Sequence, residues 1–201
     1  MNNTPLTNDG PFSVCVYCGS RNGVRPAYRA LALRLGTAIG RRGWQLVYGG
    51  GRAGLMGAVA DATLAAGGTG VGVIPDSLMT LEVGHAGLTE LHVVQTMHQR
   101  KQMMAERSHA FIAMPGGIGT FEELFEVWTW RHLNYHDRPL GLLDAEGYWA
   151  PMLQFLRHAV TEGFMGDDQM AMLHSDDSVD RLLDTLAAQA GDPGDDNFSK
   201  I

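Results

Sequence analysis

The sequence predicts a doubly wound α/β domain: a mainly parallel, Rossmann-like sheet with helices on both faces. Three observations carry this reading. Short apolar runs alternate with longer segments of helical apolar spacing along nearly the whole chain. The runs are continuously apolar, as expected of strands covered by helices on both sides. Several of them end in glycines that lead into a helical segment.

The elements follow in order. Ser13 to Tyr17 is the first strand. Pro26 to Arg42 is a helix, with Pro26 suited to its first turn and Gly43 to its end. Trp44 to Tyr48 is a strand, Leu55 to Ala66 a helix closed by Gly67-Gly68, and Gly70 to Ile74 a strand stopped by Pro75. Asp76 to Thr89 is a long, weakly patterned loop. Leu91 to Val94 and Ala110 to Met114 are strands on either side of a helix from Met97 to Ser108. A helix from Phe121 to Leu133, a strand from Leu140 to Leu143 and a helix from Tyr148 to Glu162 come next. A short strand near Met172 to His174 precedes a last helix, Ser178 to Gln189. The expected organisation is one Rossmann-like domain over residues 12–190, with flexible polar tails at 1–11 and 191–201.

Composition narrows the classes. A formal net charge of −7 argues against a nucleic-acid surface, which needs clustered cations to neutralise phosphates. No apolar run reaches the length of a membrane span, and Met1 to Gly10 lacks the basic and apolar regions of a signal peptide, so the expected location is the cytoplasm. Cys15-Val16-Tyr17-Cys18 reads as C-x-x-C, but residues three apart on a strand face opposite ways. Two buried, reduced thiols are therefore expected, and no metal site. The eight histidines show no metal-binding spacing.

The most informative stretch is Pro115-Gly116-Gly117-Ile118-Gly119-Thr120-Phe121-Glu122-Glu123. A strand that ends in glycines and opens a helix is an anion site, because the first helical N–H groups have no partner inside the helix. A loop that only held phosphate would gain nothing from the two acids that follow, so these imply chemistry. Other loops at the same sheet edge supply candidate contacts: Ser20 after the first strand, Gly50 and Gly51 after the second, and Arg100 and Lys101 on the first turn of the Met97 helix. Gly49 to Gly54 fits the dinucleotide fingerprint G-x-G-x-x-G, but it follows the second strand, not the first. Neither Lys101 nor Lys200 completes a Walker A loop, and Ser20 lacks a nucleophile elbow. Trp128, Trp130 and Leu133 fit either core packing or a subunit interface.

Taken together, these segments resemble the LOG (Lonely Guy) family of cytokinin riboside 5'-monophosphate phosphoribohydrolases. The family's P-G-G-x-G-T-x-x-E is matched from Pro115 to Glu123, and the likeness runs from about Phe12 to Ala187. Gln99 and Phe121 depart from the common residues, an acid and a leucine. The resemblance implies hydrolysis of the N-glycosidic bond of AMP or an N6-modified AMP, giving free base and ribose 5-phosphate. It implies substrate contacts at Glu82, Arg100, Lys101, Gly117 to Glu123 and Thr129, with Arg100 and Glu123 as the catalytic pair. It also implies a homodimer. Physical reasoning agrees on the acid: breaking a ribosyl bond builds positive charge on the sugar, which a carboxylate stabilises. Backbone N–H groups of Gly116 to Thr120 would hold the 5'-phosphate, with Glu123 facing the ribose and Glu122 turned about 100° away. No cofactor is required. Members of the family are often labelled lysine decarboxylases, but pyridoxal phosphate needs a Schiff-base lysine and only Lys101 lies inside the domain. A nucleotide carrier without turnover and an NAD-dependent oxidoreductase are the rival readings.

Overall fold

A computed structural model of the chain describes residues 10–79, 84–191 and 196–198. Its centre is one sheet built from β1 (Ser13–Tyr17), β2 (Gln45–Tyr48), β3 (Thr69–Pro75), β4 (Glu90–Val94), β5 (Ala110–Ala113), β6 (Leu140–Leu143) and β7 (Leu173–Asp176). The order is β4-β3-β2-β1-β5-β6-β7 and every neighbouring pair is parallel. The chain builds outward from β1 to β4, then returns to lay β5 against β1, with Val14 beside Ala110 and Tyr17 beside Ala113. That reversal leaves a crevice at the carboxyl ends of β1 and β5, the place where open α/β sheets bind ligands.

Seven helices accompany the strands among the described residues: α1 (Pro26–Arg41), α2 (Gly54–Ala65), α3 (Met97–Glu106), α4 (Ile118–His132), α5 (Ala150–Thr161), α6 (Asp167–Ala171) and α7 (Val179–Gln189). One face of the sheet packs against α1, α2 and α7 through Leu31, Leu35, Val59, Leu182 and Leu186. The other packs against α3, α4 and α5 through Met104, Val127, Trp130 and Leu156. Helices α1 and α2 touch backbone to backbone: a Cβ on Gly36 would fall 2.3 Å from the Val59 carbonyl oxygen. Cys15 joins the second core layer and Cys18 the first, both as free thiols, as strand alternation predicts. Burial pushes both thiols well above their ordinary pKa. Trp128 and Trp130 are core residues, while Leu133 is half exposed.

Three differences from the sequence reading have physical causes. Helix α4 begins at Ile118, three residues before Phe121, because Gly119 and Thr120 take helical backbone despite their low propensity. Helix α6 was not expected. Its five residues are too short for a periodic pattern, and it is set by the Gln169 side chain accepting the Gly166 N–H at 2.8 Å. The polar C-terminal stretch, expected to be a free tail from residue 191, is docked at residues 196–198. Phe198 is buried against Trp130 and His136, and Asp196 pairs with the buried Arg138 at 2.5 Å. Residues 1–9 of the expected N-terminal tail lie outside the described residues. Among the described residues no helix is long and apolar enough to cross a membrane.

Candidate active site

The crevice beside the β1–β5 junction is a cleft of about 610 Å³, a size that suits a small-molecule ligand. Its floor is the start of α4. Gly117 is the N-cap, in an extended conformation and with no side chain capping it. The first bond inside the helix is Phe121 N–H to the Gly117 carbonyl, at 3.1 Å. The N–H groups of Ile118, Gly119 and Thr120 therefore have no carbonyl within the helix. The positive end of the helix dipole faces the same space. A Cβ on Gly117 or Gly119 would meet nothing within 4 Å, so a side chain there would fill the cleft itself. Gly116 is glycine for a different reason: a Cβ would fall 2.1 Å from Thr120 Oγ1.

Arg100 and Glu123 face each other across this floor. Helix α3 starts with a full capping box, in which Thr96 accepts the Gln99 N–H at 3.1 Å and Gln99 Oε1 accepts the Thr96 N–H at 3.3 Å. Gln99 thus serves the helix start. The box fixes the first turn and sends Arg100 inward, where it is 5% exposed. Its Nη2 donates to the Gly49 carbonyl at 3.3 Å and lies 3.9 Å from Glu123 Oε1. Glu123 is nearly buried and lines the cleft. Its charge reaches the neighbouring core: after burial itself, Glu123 is the next cause raising the Cys18 pKa.

The remaining expected contacts divide. Ser20, Gly116, Gly117, Ile118, Gly119, Thr120 and Glu122 line the cleft with Arg100 and Glu123. Lys101 does not. Its Nζ lies against Glu122 Oε1 and 2.9 Å from Glu126 Oε2, so it bridges α3 to α4. Burial pulls its pKa down, but the two carboxylates outweigh burial and hold it above the ordinary lysine value. Adjacent helical residues point about 100° apart, and here Arg100 turns to the cleft while Lys101 turns to the carboxylates of α4. Phe121 turns into the core against Trp149, with ring centroids 5.9 Å apart. Thr129 is exposed farther down α4, its hydroxyl bonded to the Phe125 carbonyl at 2.7 Å. Its position on the helix is roughly 14 Å beyond Thr120, too far to meet a ligand in the same cleft.

Gly50 and Gly51 also leave the described cleft wall. Gly50 has φ +76° and turns the chain beneath Ile74 and Leu91, and Gly51 bridges to Gly84. The start of α2 is already occupied, since Leu55 N–H donates to the Gly19 carbonyl at 3.0 Å. The G-x-G-x-x-G run thus serves packing and room for Arg100. Glu82 lies outside the described residues. Sequence reasoning missed Arg21, Tyr28, Leu55, Met56, Met97 and Tyr148, all on the cleft wall. For Tyr148 a signal existed: it follows β6, the strand beside β5, so its loop opens at the same sheet edge.

Comparison with known proteins decides the family. A family model described as "Possible lysine decarboxylase" matches residues 56–186. A cytokinin riboside 5'-monophosphate phosphoribohydrolase of Rhodococcoides fascians is 54% identical over 77% of this chain and 79% of its own. One from Arabidopsis thaliana is 45% identical over 86% of this chain and 81% of its own. The chain belongs to the LOG family. Its family hallmark, Pro115 to Glu123, is the cleft floor described above. The fold is shared more widely than this. A molybdenum cofactor binding protein of Rippkaea orientalis superposes with a TM-score of 0.69 at 19% identity, covering 90% of this chain and 98% of that one. The molybdenum cofactor carrier protein of Chlamydomonas reinhardtii does so with 0.67 at 20% identity, covering 89% and 99%. At that identity the likeness concerns architecture alone.

Proposed function

We propose that this protein hydrolyses the N-glycosidic bond of a purine nucleoside 5'-monophosphate, AMP or an N6-substituted AMP, releasing free base and ribose 5-phosphate. The carrying observation is the Glu123 carboxylate on the cleft wall, one turn inside an uncapped glycine loop. The 5'-phosphate would accept from the free N–H groups at the start of α4, which fixes the ribose relative to Glu123. As the bond breaks, the base leaves with the bonding electron pair and the sugar becomes cationic. Glu123 stabilises that cation and orients a water molecule. Water adds OH to the anomeric carbon, and its remaining proton balances the one taken up by the departing base. Arg100, 3.9 Å from Glu123, keeps the carboxylate ionised before the cation forms. Leu55, Met56, Leu78 and Met97 form an apolar wall for the base.

The residues do not fit pyridoxal phosphate. Lys101 is off the cleft wall and held protonated by Glu122 and Glu126, whereas a Schiff base forms from a neutral amine. A homodimer is the proposed assembly. Exposed Phe125 lies on α4 with Thr129, and exposed Leu133 is the C-cap of that helix, so a partner on this side would supply Thr129 with the contacts it lacks in its own cleft. Two buried free thiols suit a reducing cytoplasm, the proposed location.

The test is a panel of nucleoside monophosphates with products resolved by chromatography. Adenine or its N6-substituted form and ribose 5-phosphate should appear from the monophosphates, and nothing from the unphosphorylated ribosides. Tight AMP binding with no base released over hours would overturn the hydrolase reading.

A further inference from the structure

Tyr148 stands on the cleft wall between β6 and α5, and its phenol donates to the Gly116 carbonyl. The backbone delivers it there deliberately. Glu146 and Gly147 both adopt left-handed conformations, φ 56° and 69°, which reverse the chain just before the tyrosine. Trp149, next in sequence, anchors the turn. It is 1% exposed, its N–H donates to Asp144 Oδ1 at 3.1 Å, and its ring meets Phe121. The Tyr148 ring itself is held edge-on between Tyr28, at 5.8 Å, and Trp149, at 5.0 Å. The β6–α5 segment therefore grips the glycine loop at both ends, Gly116 through Tyr148 and Phe121 through Trp149.

A peptide unit is planar and trans, so its C=O and N–H point in opposite directions. Fixing one fixes the other. Gly19 N–H holds the Pro115 carbonyl at 3.1 Å, which sets the Gly116 N–H. Tyr148 holds the Gly116 carbonyl, which sets the Gly117 N–H. A hydrogen bond to the carbonyl also polarises the amide and makes that N–H a stronger donor.

We propose that Tyr148 is a positioning residue for the 5'-phosphate: through the Gly116 carbonyl it aims the Gly117 N–H at the ligand. The proposal rests on the phosphoribohydrolase reading for the identity of the ligand. Glycine alone cannot hold such an orientation, since Gly116 and Gly117 have no side chain to restrict their backbone. The phenol supplies from outside the loop the restraint that the loop's own residues lack.

The test is Tyr148→Phe, which keeps the ring packing and removes the donor. Calorimetry with ribose 5-phosphate, free adenine and AMP reads binding without requiring turnover. The expected result is binding weakened roughly tenfold for ribose 5-phosphate and AMP, with adenine binding unchanged. With AMP as substrate, KM should rise by a similar factor. Unchanged ribose 5-phosphate affinity overturns the proposal. So does an equal loss for adenine, which marks a merely structural role. Wild-type protein that binds ribose 5-phosphate but releases no base sinks the hydrolase reading and leaves the binding comparison decisive for Tyr148. Wild-type protein that neither binds ribose 5-phosphate nor releases base from AMP overturns both.

Discussion

Arg100 shares one guanidinium nitrogen between two partners: Nη2 donates to the Gly49 carbonyl at 3.3 Å and stands 3.9 Å from Glu123 Oε1. The carbonyl helps hold the cation beside the acid. A buried carboxylate without such a partner would take up a proton, and a neutral acid could not stabilise an oxocarbenium ion. The order of dependence is Gly49, then Arg100, then Glu123.

Glu123→Gln keeps the shape of the side chain and removes its charge. Adenine release from AMP should fall by about 10²–10³-fold, while AMP still binds. Single-turnover chromatography and calorimetry on the same preparation separate the two effects. A fully active variant would return the catalytic role to Glu122.

Gly49→Ala tests the carbonyl's part. The new methyl would fall 1.9 Å from Arg100 Nη2, and the flexible guanidinium is the group that yields. Activity on AMP should drop at least about tenfold, the loss expected when a charged hydrogen bond is displaced. The circular dichroism spectrum should stay as in the wild type. Undiminished kcat/KM would show that catalysis does not depend on the placement of Arg100.

Asp196→Ala should destabilise the fold by about 3–5 kcal/mol, because it leaves the buried Arg138 cation without its carboxylate. Phe198→Ala should cost about 3 kcal/mol through the cavity left against Trp130 and His136. Urea denaturation of both variants measures the effect. Midpoints equal to wild type would mean that the C-terminal residues contribute nothing in solution.

His136 makes stability depend on pH. Its Nδ1 accepts the Arg138 N–H at 3.1 Å and its Nε2 lies 2.9 Å from the Val127 carbonyl, so the neutral ring is already satisfied. Burial first, with Arg138 and Arg131 adding, holds its pKa down at about 4. In the unfolded chain it titrates near about 6.5. The unfolded state therefore binds the extra proton. The contribution is complete above about 6.5 and drains as pH falls toward about 4, by on the order of 3 kcal/mol. Urea midpoints at about pH 7.5 and about pH 5 should fall less for His136→Asn, measured against its own value at the higher pH. Parallel declines would remove His136 as the cause.

Much of the fold is legible in the sequence because its cause is local. Strands β1, β2, β3, β5 and β6 are largely apolar runs of the right length, and the opposed faces of Cys15 and Cys18 follow from strand alternation alone. What escaped is either too short to show a period or depends on distant partners. Helix α6 is too short to show a period and is set by Gln169 closing onto Gly166. Asp196 and Phe198 sit in a stretch whose composition reads as solvated, yet Arg138, 58 residues earlier, draws them in.

The sequence by itself determined that a glycine loop with an acid one turn beyond it would close a parallel sheet's ligand edge. Only the tertiary structure decided which side chains enter the cleft there. Arg100 goes in and Lys101 goes across to α4. Glu123 faces the arginine, while Glu122 is tied to Lys101 at the rim. Tyr148 arrives from a loop with no motif to announce it. The reason is geometric. Sequence neighbours on a helix diverge by about 100°, and the choice between them is made by packing against segments far along the chain.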